Sequence, residues 1–174
     1  MPTNTGESQI QPRWPLTVSP NHGPYQPVDD IRESIIQDFI FLLRTNPGEW
    51  PMNPDLGVGL ERYLFENYNS PELGKFRTRL EKQVRKYLPE VIINSAEFIA
   101  DEENKDNSVV ILSINFSINF FSRTISILLE MDGRSRAIKG IHTNPTPEVI
   151  KTIAANAGLV VSKPLQHIRA DVFS

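Results

Sequence analysis

The stretch VILSINFSINFFSRTISILL, residues 110–129, decides the fold. In its first half, apolar side chains alternate with serine and asparagine, and this period of two is typical of a strand with one buried and one polar face. The alternation starts again after a turn expected at 121–123, which predicts a second strand antiparallel to the first. The apolar positions of this second strand are Ile125, Ile127 and Leu129.

The segments that precede this hairpin supply a third strand and three helices. The strand is expected at Val91–Ile99, joined to the hairpin by an acidic loop at 101–107. Apolar residues with helical spacing predict helices from Asp30 to Arg44, around 60–65, and from Ser70 to Leu88. Helices followed by consecutive strands predict an α+β fold, in which the N-terminal helices pack on one face of a small antiparallel sheet.

The two ends of the chain differ in composition from its centre. Residues 1–29 are rich in proline and predict an extended arm, whereas 30–131 form the α+β domain and 132–174 a C-terminal extension with a short helix. The arm has few apolar residues, so we expect it to become ordered only against neighbouring proteins. Trp14 and Tyr25 are its expected anchors.

The composition excludes several classes of protein. The 174 residues include no cysteine and three histidines, which excludes a disulfide framework, a thiol nucleophile and a zinc ribbon. The formal net charge is −3, so the overall charge does not favour nucleic acid. The chain has neither an apolar run of the roughly 20 residues that a membrane span requires nor the layout of a secretory leader. We therefore expect a soluble protein without nucleic-acid or membrane partners.

Catalytic motifs are not evident in the sequence. A Gly-x-Ser-x-Gly elbow is absent. Carboxylate pairs such as Glu49 with Asp55, or Glu61 with Glu66, carry no sign of the sugar cleft that a glycosidase needs between them. We assign no catalytic residue, no cofactor and no metal. The third helix is locally basic, which fits a solvated face, an acidic protein partner or phosphate contact.

One segment carries a family resemblance. Residues 45–66 read TNPGEWPMNPDLGVGLERYLFE, and this run closely resembles the signature of the baseplate wedge family of contractile tails. That family includes the sheath-initiator protein of contractile phages and its counterpart in type VI secretion baseplates. Trp50 stands where the family commonly has arginine, and Leu56 where it commonly has phenylalanine. The resemblance extends from Trp14 to about Met131.

The resemblance implies a structural role in a virion tail baseplate that assembles in the host cytoplasm. Family members resemble adaptors, present in several copies of a sixfold baseplate, that join the helical bundle of other wedge proteins to the first ring of tail sheath protein. Arms of sheath subunits are expected to add to the adaptor's sheet, and tail tube or hub proteins are further possible neighbours. The implied protein is not an enzyme. The alternatives are a peptidoglycan hydrolase of lysozyme type in the baseplate and a regulatory binding protein, and a phage tail is not distinguished from a bacteriocin or injection device.

Two partner-binding surfaces follow from the residues and the resemblance. Prolines and glycines predict a rigid exposed loop at Gly48 to Gly59 that docks on partner helices. A free edge on the strand at 124–131 is expected to receive the sheath arm, with the chain's own residues 159–173 as the competing occupant. The site residues are Gly48, Glu49, Trp50, Pro51, Met52 and Pro54 in the loop, and Ile125, Ile127 and Leu129 on the strand.

Overall fold

The computed structural model describes residues 10–18, 24–65, 71–99, 109–132 and 137–156. These ranges contain three α-helices, a 3₁₀ helix and two antiparallel sheets, which confirms the predicted α+β class. None of these helices is long and apolar enough to span a membrane. In chain order the elements are β1 (Gln11–Pro12), β2 (Pro27–Val28), α1 (Ile31–Arg44), the 3₁₀ helix (Leu60–Phe65), α2 (Pro71–Tyr87), β3 (Val91–Ile99), β4 (Val109–Ile118), β5 (Phe121–Asp132), β6 (Ala137–Thr143) and α3 (Pro147–Asn156).

The main sheet is a meander in the order β3-β4-β5-β6. Strands β4 and β5 pair from Val109 with Asp132 to Ile118 with Phe121, so their turn falls at 119–120 rather than at the expected 121–123. The strand expected at Val91–Ile99 is confirmed as β3. The expected acidic loop at 101–107 and the segment 159–173 lie outside the described residues.

The prediction that β5 has a free edge is wrong along half of its length. Residues 137–143, which fall in the predicted C-terminal extension, form β6 and pair with residues 127–132 of β5. The side chains on β5 that were expected to meet a sheath arm lie in the core instead. They are Ile125, Ile127 and Leu129, all buried.

The hydrophobic core lies between α1, α2 and one face of the main sheet. Phe39 of α1 stacks on Phe116 of β4 with 4.5 Å between ring centroids. Phe76 of α2 meets Phe98 of β3 at 4.9 Å. These contacts bury the apolar face that the period of two in the sequence predicts. On the two central strands this face consists of Leu112, Ile114, Phe116, Ile118, Ile125, Ile127, Leu129 and Met131.

The opposite face of the sheet carries a row of hydrogen-bonded polar side chains. Asn115 Nδ2 donates to Ser95 Oγ at 2.9 Å, and Ser126 Oγ donates to Asn115 Oδ1 at 2.6 Å. Asn144, just beyond β6, accepts from the Ser126 backbone N–H at 3.0 Å and donates its own backbone N–H to the Ser126 carbonyl at 2.7 Å. The row links three strands and the end of the fourth.

The N-terminal arm folds back on its own domain. Ile10 N–H donates to Val28 O at 3.1 Å and Arg13 N–H to Gln26 O at 2.9 Å, which forms the small β1-β2 sheet. The expectation that the arm becomes ordered only against neighbouring proteins is therefore wrong for residues 10–18 and 24–28. Residues 1–9 and 19–23 lie outside the described part of the chain.

Polar side chains of α1 hold the arm in place. Asp30 caps α1, because its Oδ1 accepts from the Arg32 backbone N–H at 2.8 Å. Glu33, in the first turn of α1, forms a two-pronged ion pair with Arg13 of the arm. Gln37 Oε1 accepts a hydrogen bond from the Trp14 backbone N–H at 2.7 Å. The arm thus lies along α1.

Candidate interaction surface

The loop between α1 and the 3₁₀ helix is tied to the end of α1. Val58 N–H donates to Leu42 O at 3.0 Å, and Gly59 N–H donates to Thr45 O at 2.9 Å. These bonds occupy carbonyls that the last turn of a helix leaves without an intrahelical partner. Gly57 and Gly59 have φ values of 104° and 71°, a backbone conformation that glycine adopts without strain.

Two side chains of α2 hold the other side of the loop. Gln83, which is buried, accepts the Gly57 N–H at 3.0 Å and donates to Asp55 O at 2.9 Å. Arg79 donates to Gly57 O through two nitrogens, at 3.0 Å and 3.3 Å. The base of the loop is therefore fixed by α1 and α2 together. The guanidinium group of Arg79 is therefore used to hold the loop, although the sequence suggests that the basic residues of this helix could contact a partner.

The tip of the loop is folded by its own hydrogen bonds. The Glu49 carboxylate accepts from the Asn46 backbone N–H at 3.0 Å and from Asn46 Nδ2 at 2.9 Å. These bonds from Asn46 lower the pKa of Glu49, because they stabilise its charged form. Gly48 N–H also donates to Pro54 O at 2.9 Å across the loop. Glu49 therefore helps to shape the loop that presents its neighbours.

The tip exposes two large side chains that the fold itself leaves in solvent. Trp50 is 57% exposed and Met52 is 96% exposed, with Pro51 and Pro54 exposed beside them. Aromatic residues and methionine are enriched in protein interfaces. The loop has the exposure that docking requires, and docking by these residues stays a prediction.

A groove of about 490 Å³ runs beside the loop and is called the loop groove here. Phe41, Leu42 and Thr45 form one wall on α1, Tyr87 and Leu88 form the other at the end of α2, and Trp50 and Leu56 close it. Asp38 completes the α1 wall. Positions 38, 41, 42 and 45 share one helix face because they are three or four residues apart.

Asp38 is the carboxylate of the loop groove. Burial raises the pKa of Asp38, a hydrogen bond from Gln11 opposes this effect, and the negative charge of Glu90 raises it further. In the folded state the carboxyl therefore binds its proton more tightly than in the unfolded chain. The charged form of Asp38 therefore destabilises the folded protein when no partner is bound.

We expect Asp38→Asn to stabilise the isolated chain at neutral pH. A carboxyl with a raised pKa in the folded state favours folding at low pH and loses that contribution as pH rises above its ordinary value of 3.8. The gain in Tm should be present at neutral pH and disappear well below pH 3.8. Thermal unfolding across this range is the measurement, with Glu97→Gln as an exposed control. A lower Tm at neutral pH would show that the carboxylate makes a net favourable contact.

A second groove, of about 510 Å³, lies between α1 and β6 and is called the edge groove here. Ile36 and Ile40 of α1 face Ile141 and Thr143 of β6 across it, and Trp14 of the arm lies at its rim. Asn144 N–H points towards β5, where it bonds Ser126 O. Successive N–H groups in a strand point to opposite sides, so the N–H of Thr143 points away from β5. Among the described strands, the outer side of β6 is therefore one of the two edges of the main sheet, and β3 forms the other.

Glu49, a member of the first carboxylate pair considered for hydrolysis, is bound within its own loop. Glu49 has both carboxylate oxygens bound by Asn46 and a lowered pKa, whereas a glycosidase acid must keep its proton. Glu66 of the second carboxylate pair lies outside the described ranges. Within those ranges, no three histidine or acidic side chains come close enough to hold a metal ion.

Comparison with known proteins gives one family and two related structures. Residues 29–120, more than half of the chain, match the family described as Baseplate wedge protein gp25. No curated protein matches the sequence. A chain of the sixfold-symmetrised baseplate of the anti-feeding prophage is similar with a TM-score of 0.54 and 22% identity, over 66% of this chain and 88% of that one. A proposed tail lysozyme from Geobacter sulfurreducens is similar with a TM-score of 0.50 and 18% identity, over 62% of this chain and 95% of that one. At these identities both likenesses concern the fold alone.

Proposed function

Because the chain belongs to the Baseplate wedge protein gp25 family, we propose that it is a non-enzymatic adaptor in the tail baseplate of a contractile injection system. It joins the helical bundle of other wedge proteins to the first ring of tail sheath protein and starts sheath assembly. It acts in several copies of a sixfold baseplate that assembles in the host cytoplasm, where tail tube or hub proteins are further neighbours.

The observation that carries this proposal is the loop at 48–59. Its base is bonded to both helices and its tip is folded by Glu49, so little conformational entropy remains to be lost when a partner binds. The large side chains at its tip, Trp50 and Met52, contribute little to the fold because they are exposed. A rigid loop with an exposed aromatic residue is suited to be the anchor of an interface.

The second surface of the adaptor is the outer edge of β6, beside the edge groove, which shares Phe41 with the loop groove. This edge replaces the β5 edge predicted from the sequence, since β6 itself pairs with β5. The edge groove supplies an apolar floor from Ile36, Ile40 and Ile141 beside the outward backbone groups of Thr143. An extended sheath arm would form backbone hydrogen bonds along β6 and place alternate side chains in the groove.

We expect Trp50→Ala to weaken incorporation into the baseplate without unfolding the chain. Truncation of a central aromatic anchor costs about 2 kcal/mol or more, which corresponds to a loss of affinity of roughly 30-fold. The Tm of the isolated chain should change little, because the side chain is 57% exposed. The measurements are thermal unfolding of the purified chain and its amount in baseplates purified from producing cells.

Two further variants sharpen this test. Ile31→Ala removes an apolar side chain that is 60% exposed and lines neither groove, so incorporation should stay normal. Trp50→Phe keeps an aromatic anchor and should restore part of the lost incorporation. The docking role fails if Trp50→Ala enters baseplates normally, or if it lowers the Tm as much as a core substitution would.

A further inference from the structure

The loop groove differs from the edge groove in the backbone that lines it. Its lining residues come from α1, from the loop and from the end of α2, and no strand edge of the described sheet borders it. An occupant therefore finds no free ladder of backbone donors and acceptors to pair with. A partner segment buried there must satisfy its own backbone groups, which a helix does internally.

Asp38 is the charged side chain that lines the loop groove. Asp38 receives a hydrogen bond from Gln11, and no cation of the described residues forms an ion pair with it. Glu90 adds negative charge near Asp38, and Asp55 and Glu49 are exposed on the adjoining loop. Lys86 lies over the Tyr87 ring, 4.8 Å from its centroid, and is close enough to interact with Asp55, while Arg62 interacts with Glu49. A basic side chain in the groove would meet a partly buried carboxylate that lacks a counter-ion.

We propose that the loop groove binds an amphipathic helix of a neighbouring wedge protein, whose apolar side chains pack on Phe41 and Leu56 and whose lysine or arginine pairs with Asp38. This inference rests on the proposed adaptor function and names the partner's chemistry at the loop. Apolar residues of the helix three or four positions apart would fill the groove, and its cation would lie one turn away from them. The exposed Trp50 closes the groove and would pack along the bound helix.

The first test separates binding from stability at Asp38. Asp38→Asn keeps the shape of the side chain and removes the charge, so we expect incorporation into baseplates to fall at least about tenfold, since losing one partner of a desolvated charge pair is costly. The same substitution is not expected to destabilise the isolated chain. A loss of incorporation would therefore report a lost contact with a partner rather than a loss of folded protein. Glu97→Gln, on an exposed strand position away from the groove, should leave incorporation unchanged. Normal incorporation of Asp38→Asn would overturn the inference.

The second test identifies the occupant by photo-crosslinking in assembled baseplates. Leu56→p-benzoylphenylalanine places the probe in the groove, and Met52→p-benzoylphenylalanine places it at the exposed loop tip. We expect crosslinks from position 56 to a helical segment with lysine or arginine within one turn of the crosslinked residue. A segment without such a cation, or a strand, overturns the inference. Crosslinks from position 52 alone would overturn the inference but would still be consistent with the adaptor function. The absence of crosslinks from both positions would count against the adaptor function itself.

Discussion

Gly57→Ala is expected to destabilise the isolated chain by roughly 3 kcal/mol or more, through a strained backbone combined with overpacking. A Cβ at this position would lie 2.1 Å from Thr45 O and 2.7 Å from Thr45 C, and both are backbone atoms. The φ of 104° adds strain for any residue with a side chain. Thr45 has little freedom to move, because its carbonyl also accepts the Gly59 N–H at 2.9 Å.

Gly48→Ala is the matched control for this substitution. Gly48 has a similar φ of 96°, yet a Cβ there meets nothing within 4 Å. The control therefore carries the backbone strain alone, about 1 kcal/mol. Urea unfolding of the two variants measures the difference. Equal losses would mean that the close approach of Gly57 to Thr45 does not stabilise the fold.

Periodic segments explain the part of the fold that the sequence predicts well. In α1, apolar residues at helical spacing are the ones that the core buries, among them Ile35, Phe39 and Leu43. In β4, every second side chain faces the helices, as the alternation of Leu112, Ile114 and Phe116 with polar residues predicts. Burial on one face leaves a local trace in sequence, and that trace is sufficient for these elements.

Strand β6 was missed because its local pattern is irregular. A bulge shifts the register between Glu130 and Met131, so Ile138 and Ile141 both pack towards the core although three positions separate them. Gly140 lies between them and adds no apolar signal. A bulge breaks the period of two that identifies a strand. The sequence therefore predicts a free edge along all of β5, whereas β6 covers its residues 127–132.

The anchors of the arm and of the loop were also missed, for a different reason. Arg13 with Glu33, and Gln83 with the Gly57 backbone, join residues more than 19 positions apart. Polar contacts of this kind follow from tertiary packing and leave no periodic pattern. The exposed tip of the loop was predictable, because prolines and glycines restrict the chain locally around Trp50. The desolvated carboxylate of Asp38 was not, because its neighbours come from α1, α2 and the loop together.

Thr143→Pro is expected to block sheath nucleation on otherwise complete baseplates. The Thr143 N–H points away from β5, so proline removes a donor from the outer edge and leaves the β5-β6 ladder intact. The Thr143 side chain is exposed, and proline is tolerated on edge strands, so we expect a stability loss of at most about 2 kcal/mol. Proline at Ile127 cannot serve this purpose, because β5 is paired on both sides there.

Thr143→Ala provides the comparison, since it removes the same side chain and keeps the backbone donor. Electron micrographs of purified tails would give the fraction of baseplates that carry sheath. For Thr143→Pro we expect that fraction to fall at least about tenfold, because an added strand depends on main-chain hydrogen bonds for its affinity. For Thr143→Ala it should stay close to normal. If folded Thr143→Pro baseplates carry sheath of normal length, strand addition at β6 is wrong, and the sheath must attach elsewhere, for instance at the outer edge of β3.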